Sequence, residues 1–167
     1  MARTLLDNEQ WDFGSNCFVC EPKNTKGIGI RFYLEDAGPE VVADFTPESH
    51  HSGAPNYAHG GLSMALIDEG MAWAVIAIAH RFGITKRSEL DFVRPVRIGQ
   101  PHTARARIES RDGHDLIATA SIEDAKGRVC VSARATFYVM TKAEADAAIG
   151  QSQQSASYTR ASSTQNA

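Results

Sequence analysis

The segment from Gly60 to Gly83, GGLSMALIDEGMAWAVIAIAHRFG, restricts the fold more than any other part of the 167-residue chain. Its length and its Met, Ala, Leu and Ile content predict a helix, and it carries too few polar residues for one that rests on a surface. His80, Arg81 and then Gly83 match the basic last turn and terminal glycine of a helix C-terminus, so the helix is expected to run to that point. A rod apolar nearly all round must be covered on nearly all sides. Asp68 and Glu69, the only charges between His59 and His80, sit at its middle, where a membrane span would tolerate them badly. No membrane association is expected.

The remaining segments read as the cover. Residues 28–34 (IGIRFYL) and 41–47 (VVADFTP) are β-rich runs joined by EDAGPE, a hairpin connection, and the loop PESHHSGAPNYA leads from them to the helix. After the helix, a strand of roughly Thr85–Arg94 stops at Pro95, and three further segments alternate with period two. Ala104, Ala106 and Ile108 share one face of the first, Leu116, Ala118, Ala120 and Ile122 one face of the second. Val129, Val131, Ala133, Ala135, Phe137 and Val139 share one face of the last. Short glycine-containing links, RDGHD and DAKGR, predict an antiparallel meander. Two strands, one helix and four strands, with no βαβ alternation, give an α+β class: one curved antiparallel sheet wrapped around one long central helix, with further cover from a second subunit. One domain is expected over residues 1–142, with 1–27 as a lead-in. Residues 143–167 begin as a short helix and continue as QSQQSASYTRASSTQNA, a polar tail expected to be flexible and without function.

Composition narrows the class. With 43% apolar and 22% charged residues the chain reads as soluble and globular, and a net charge of −3 gives no general attraction to nucleic acid. The opening MARTLLDNEQWDF lacks an apolar stretch of the secretory kind, so a cytoplasmic location is expected. Three cysteines, two of them in Cys17-Phe18-Val19-Cys20, do not form a secreted disulfide framework.

The sharpest chemical signal is His59-Gly60-Gly61, where the loop becomes the helix. A helix N-terminus leaves backbone N–H groups unpaired and partly positive, and glycine lets a ligand oxygen approach them, so the turn can hold an oxyanion. The plainer reading is a tight turn that His59 caps. Asp68 and Glu69 add to the functional one. Adjacent helical residues point about 100° apart, so the two acids face different surroundings. Asp68 lines up with Met64, Met71 and Val75, and Glu69 with Leu62, Ala65, Leu66, Ala72 and Ile76. A carboxylate in an apolar wall is costly unless paired, and desolvation raises its pKa toward the range useful to a base. Either acid could instead be satisfied structurally, by backbone or by an Arg such as Arg94.

The run HGGLSMALIDEGMAWA, with an aspartate nine residues after the histidine, followed by FVRP and preceded by CFVC and Lys26-Gly27-Ile28, resembles the hotdog-fold acyl-CoA thioesterases of the PaaI-like type. The resemblance spans roughly Cys17 to Met140. It implies the hotdog fold and hydrolysis of acyl-CoA or acyl-carrier thioesters without a cofactor, by a homodimer or a dimer of dimers. It also implies Asp68 as the catalytic carboxylate, acting on water or attacking directly to form an anhydride. The Gly61 N–H, helped by Gly60, would polarise the thioester carbonyl, with Thr85 supplying a hydroxyl near the reacting water and His59 orienting the turn or touching the carbonyl. Glu21 departs from the family pattern, in which CGP is more usual than CEP, and His50-His51 has no assured counterpart. Geometry adds a further expectation. Gly61 and Asp68 are separated by roughly 10 Å of helix at about 1.5 Å per residue, so each site should take Gly61 from one subunit and Asp68 from its partner.

Arg94, Arg97, Arg105, Arg107, Arg111 and Arg128 gather around strand ends and turns, where they could grip phosphates; Arg105 and Arg107 fit a solvated strand face better. Asn56, Glu69, Arg94 and Arg128 are the candidate substrate-binding residues. Cys17 and Cys20 could be half of a zinc site completed by His50 and His51, but one CxxC without a second is a weak signal and no metal is expected. Trp73 and Phe92 read as core or acyl-pocket walls. The competing functions are a non-catalytic acyl-CoA-binding hotdog module and a hydratase or dehydratase, whose differently spaced Asp and His pair is not found here.

Overall fold

A computed structural model describes residues 2–11 and 15–149 of the chain. In order, its strands and helices are β1 (Arg3–Leu6), β2 (Phe32–Glu35), β3 (Glu40–Phe45), β4 (Ser52–Ala54), β5 (Tyr57–Ala58), α1 (Gly60–Ala77), β6 (Gly83–Phe92), β7 (His102–Asp112), β8 (Asp115–Asp124), β9 (Val129–Val139) and α2 (Lys142–Ile149). Seven strands form one antiparallel sheet in the order β1-β2-β3-β7-β8-β9-β6, and β4 and β5 form a separate hairpin in the loop before α1. This is the hotdog fold, an α+β sheet around one long helix.

The sheet can hold the helix closely because its buried face is made of small side chains. Ala43, Ala104, Ala106, Ala118, Ala133 and Ala135 are all buried, and α1 packs mainly on β7 and β8 and then on β3 and β6. Larger side chains fill the space around these alanines: Leu66, Ile67, Met71 and Val75 of α1 join Phe32, Leu116 and Phe137 of the sheet in one cluster. Period-two alternation survives in β9, where Val131, Ala133, Ala135, Phe137 and Val139 are buried and Arg134 is exposed. Trp73, at 2% exposure, belongs to this core, whereas Phe92 is 57% exposed on β6.

The structure corrects several sequence expectations. The helix stops at Ala77 and not near Gly83: Ile78 still donates to the Ala74 carbonyl, but His80 takes a left-handed φ of 51° and turns the chain, and Gly83 opens β6. Strand β2 begins at Phe32, later than the run from residue 28, and β1 pairs with it from within the lead-in segment, Leu6 opposite Phe32. The polar tail from residue 150 lies outside the described residues.

Replacing Phe137, fully buried at the centre of this cluster, with Ala is expected to cost about 3–5 kcal/mol in urea unfolding. Arg134→Ala, which breaks an exposed ion pair between the outer face of β9 and Glu109 of β7, should leave the urea midpoint nearly unchanged.

Candidate active site

The tip and the flank of α1 carry the groups of interest. At the tip, His59 is the N-cap, with extended φ and ψ of −62° and 137°, and its Nδ1 accepts a hydrogen bond from the Gly61 N–H at 2.8 Å. Glycine is needed at 61 because a Cβ there would lie 2.9 Å from that same Nδ1. The Gly61 amide therefore has an acceptor already. The cap is held from below: His59 N donates to the His51 carbonyl, Ala58 N to Val96 O, and Ile98 N to the carbonyl of Asn56, whose φ of 68° makes the β4–β5 turn. The Phe92 ring lies over Gly60, 3.5 Å from where its Cβ would stand.

On the flank, Asp68 Oδ1 accepts from the Thr85 hydroxyl of β6 at 2.8 Å. A β-bulge between Thr85 and Arg87 makes this possible. Thr85, Ser88 and Leu90 lie opposite Phe137, Ala135 and Ala133, so all three fall in register with the buried face of β9. Without the extra residue, Thr85 and Ser88 would point to opposite faces of the strand. Met64, Ala65, Ile67, Asp68, Ser88 and Leu90 line a groove of about 250 Å³ along this edge. Ser88 and Leu90 escaped the sequence reading because a bulge leaves no signal in the period of the residues.

Glu69, one residue on, faces elsewhere. Its carboxylate meets Cys17, Sγ to Oε2 3.5 Å, and is absent from the Asp68 groove. Burial pushes Glu69 up to about 7. The neighbouring Cys20 thiol and the backbone N–H groups of Cys20 and Val19 pull Cys17 down to about 5, while its interaction with Cys17 and burial push Cys20 up. Among the described residues, His50 and His51 do not join the two cysteines: their rings meet tilted by 47° with centroids 3.9 Å apart, and His51 Nδ1 accepts from the Glu48 amide.

Arg94 and Arg128 line a cleft of about 300 Å³ together with Arg97, His102, Asp124 and Lys126. Arg94 donates to the Val129 carbonyl, and Arg128 pairs with Asp124, whose carboxyl it holds down at about 2. Arg97 lies over the Tyr57 ring, 5.4 Å from its centroid. Arg105 is engaged elsewhere, with Glu40 at 2.8 Å and with Glu35 and Glu123 farther off.

A hotdog sheet around a helix whose tip is a glycine turn and whose flank carries an acid defines a class that the comparisons identify. Residues 55–131 match the family model described as thioesterase superfamily, which bears out the resemblance read in the sequence. A comparison with curated proteins returns no match. Among solved structures, a thioesterase superfamily protein aligns at a TM-score of 0.70 with 25% identity, over 83% of this chain and 68% of its own. A hypothetical thioesterase from Streptococcus pneumoniae, solved with coenzyme A, aligns at 0.58 with 20% identity, over 60% of this chain and 81% of its own. The E. coli PaaI protein of the phenylacetic acid degradation operon aligns at 0.57 with 19% identity, over 61% and 73%. The S. pneumoniae protein has also been solved with one aspartate, and separately one threonine, replaced by alanine. Together these matches support thioester hydrolysis in general terms.

His59→Ala removes the cap and should lower stability by about 1 kcal/mol in thermal unfolding, with His59→Asn recovering most of the loss.

Proposed function

We propose that the chain hydrolyses acyl-coenzyme A thioesters and that Asp68 is the catalytic carboxylate. The observation that carries this reading is the hydrogen bond from Thr85 to Asp68, a carboxylate that lines a groove with Met64, Ala65, Ile67, Ser88 and Leu90. Thr85 fixes the carboxylate through one oxygen, and the second serves as base toward water or as nucleophile toward the thioester carbon. The apolar wall beside it accepts the acyl chain. At the helix tip the carbonyl oxygen replaces His59 Nδ1 as the acceptor of the Gly61 N–H, assisted by the Gly60 end of the helix, so the amide exchanges one partner for another. An amide donor of this kind lowers the barrier by about 3 kcal/mol.

Arg94, Arg128 and Lys126 are proposed to hold the coenzyme A phosphates. Their cleft begins two residues beyond Phe92, which lies over Gly60, so it adjoins the helix tip where the thioester would sit. Asn56 shapes the turn that carries the cap and is proposed to act on substrate only through it.

We further assign the working unit as a homodimer. Gly61 and Asp68 are separated by roughly 10 Å of helix, and Asp68 turns toward β6, so a tip and a flank from different chains form each site. Strand β6 is one edge of the sheet, and its end exposes Phe92 at 57% and the neighbouring Val93 at 54%, an edge suited to a second copy. A pairing of two such dimers and a cytoplasmic location complete the reading; the three free thiols accord with a reducing compartment.

With a panel of acyl-CoA substrates, Asp68→Asn is expected to lower kcat by about 10²- to 10⁴-fold and Thr85→Ala by about 10- to 100-fold. Acyl-CoA binding with no turnover by either wild type or Asp68→Asn would instead identify a binding module. Arg94→Ala should raise KM with kcat little changed. Mixed dimers of Asp68→Asn and Gly61→Val subunits, each inactive alone, should regain activity; confirmed heterodimers without activity would overturn the shared site.

A further inference from the structure

The Asp68 site leaves one chemically loaded cluster unused. Cys17 Sγ, Cys20 Sγ and a Glu69 carboxylate oxygen lie within 4.8 Å of one another, the first two from the lead-in segment and the third from the middle of α1. We propose that these three side chains bind one zinc(II) ion, which staples the lead-in segment to the central helix beside Asp68.

Four observations favour a metal. The first is donor spacing. Ligands on a tetrahedral zinc, with Zn–S near 2.3 Å and Zn–O near 2.1 Å, stand roughly 3.3–3.8 Å apart, and Cys17 Sγ is already 3.5 Å from Glu69 Oε2. The second is the role of the sulfurs. Cys17 Sγ accepts from the Val19 N–H at 3.4 Å, and Cys20 Sγ accepts from Asn8 Nδ2 at 3.9 Å. Asn8 is itself buried and held by Glu21 at 3.2 Å. N–H donors aimed at a sulfur favour the thiolate, the form that ligates metals, once a cation displaces the thiol proton, and outer hydrogen bonds of this kind orient such ligands.

The third observation is rigidity. Glu21 N donates to Cys17 O, Ile28 N to Phe18 O and Ile30 N to Val19 O, so the CxxC turn is fastened to the strap that follows it. Gly27 is required for that approach, because a Cβ there would lie 2.5 Å from the Phe18 carbonyl oxygen. The fourth is charge. The carboxylate of Glu69 is matched to a thiol and not to a Lys or Arg, and a divalent cation would compensate the negative charge that gathers when the thiols release their protons. Three protein ligands leave a fourth position for water. His50 and His51, the ligands suggested by the sequence, have no part in it.

The test uses the full chain, reduced and stripped of metal. Titration with cobalt(II) should give one ion per chain with a thiolate-to-cobalt charge-transfer band that zinc(II) abolishes by displacement. Zinc(II) should also protect two of the three thiols from alkylation. The Cys17→Ser, Cys20→Ser double variant should lose the band, and Glu69→Gln should weaken binding by at least about tenfold. Should the double variant fail to fold, alkylation of the wild type with and without zinc(II) decides alone. No charge-transfer band with unchanged alkylation in natively folded wild type overturns the proposal, as does a Cys17–Cys20 disulfide that forms in air whether or not zinc(II) is present. The inference is independent of the thioesterase reading: Asp68→Asn should bind cobalt(II) as the wild type does.

Discussion

The burial of α1 is the interaction on which the remainder of the structure depends. A helix with Leu66, Met71, Ala74 and Val75 at zero exposure cannot exist without its sheet, and the sheet has no core without it. The alanines on the buried sheet face follow from this: larger residues on β7, β8 and β9 would push the rod away and open voids that close packing does not tolerate. Curvature, strand order and the position of the helix tip at the sheet's open edge all derive from one solution to one problem of apolar surface.

Placing two acids on such a helix has a price in desolvation, and the structure meets it in two different ways. Asp68 lies where the rod emerges along the edge strand, and a hydroxyl from β6 satisfies it. Glu69, about 100° further round, is turned inward against the lead-in segment, where its partners are thiols and its carboxyl is pushed up to about 7. Adjacent residues therefore serve unrelated neighbourhoods. The first faces a groove open to a ligand, and the second faces the Cys17–Cys20 turn of the lead-in segment.

Much of this was legible in the residues. The long apolar segment declared the helix, and the period-two faces of β7, β8 and β9 declared the wrap. His59-Gly60-Gly61 declared a helix start, and the separate surroundings of Asp68 and Glu69 followed from helical geometry alone. What escaped has a common cause: it depends on contacts remote in sequence or on one-residue shifts in register. The bulge after Thr85 is invisible to a periodicity argument, yet it aligns Thr85 with Ser88 and Leu90. The helix end was misplaced because His80, a residue with modest tolerance for positive φ, does the turning expected of Gly83. The meeting of Glu69 with Cys17 spans about fifty residues, and no local pattern announces it. His50 and His51 match the CxxC as metal-ligand types by composition alone: in the fold they contact each other and the Glu48 amide.

The capped amide at Gly61 bears on how a site of the proposed kind could remain stable when empty. An unpaired N–H at a helix tip costs free energy wherever water reaches it poorly, and an oxyanion site must keep such donors ready. Here the His59 ring accepts from the amide, and a Cβ at position 61 would crowd that ring; on the proposed function the same opening takes a substrate oxygen. On the proposed function, exchange of the imidazole acceptor for a developing oxyanion would favour the transition state over the resting protein, because a charged acceptor forms the stronger hydrogen bond. The cap is observed, and on the proposed function capping and catalysis are compatible uses of one amide, so the observed cap does not exclude the oxyanion reading of the HGG turn.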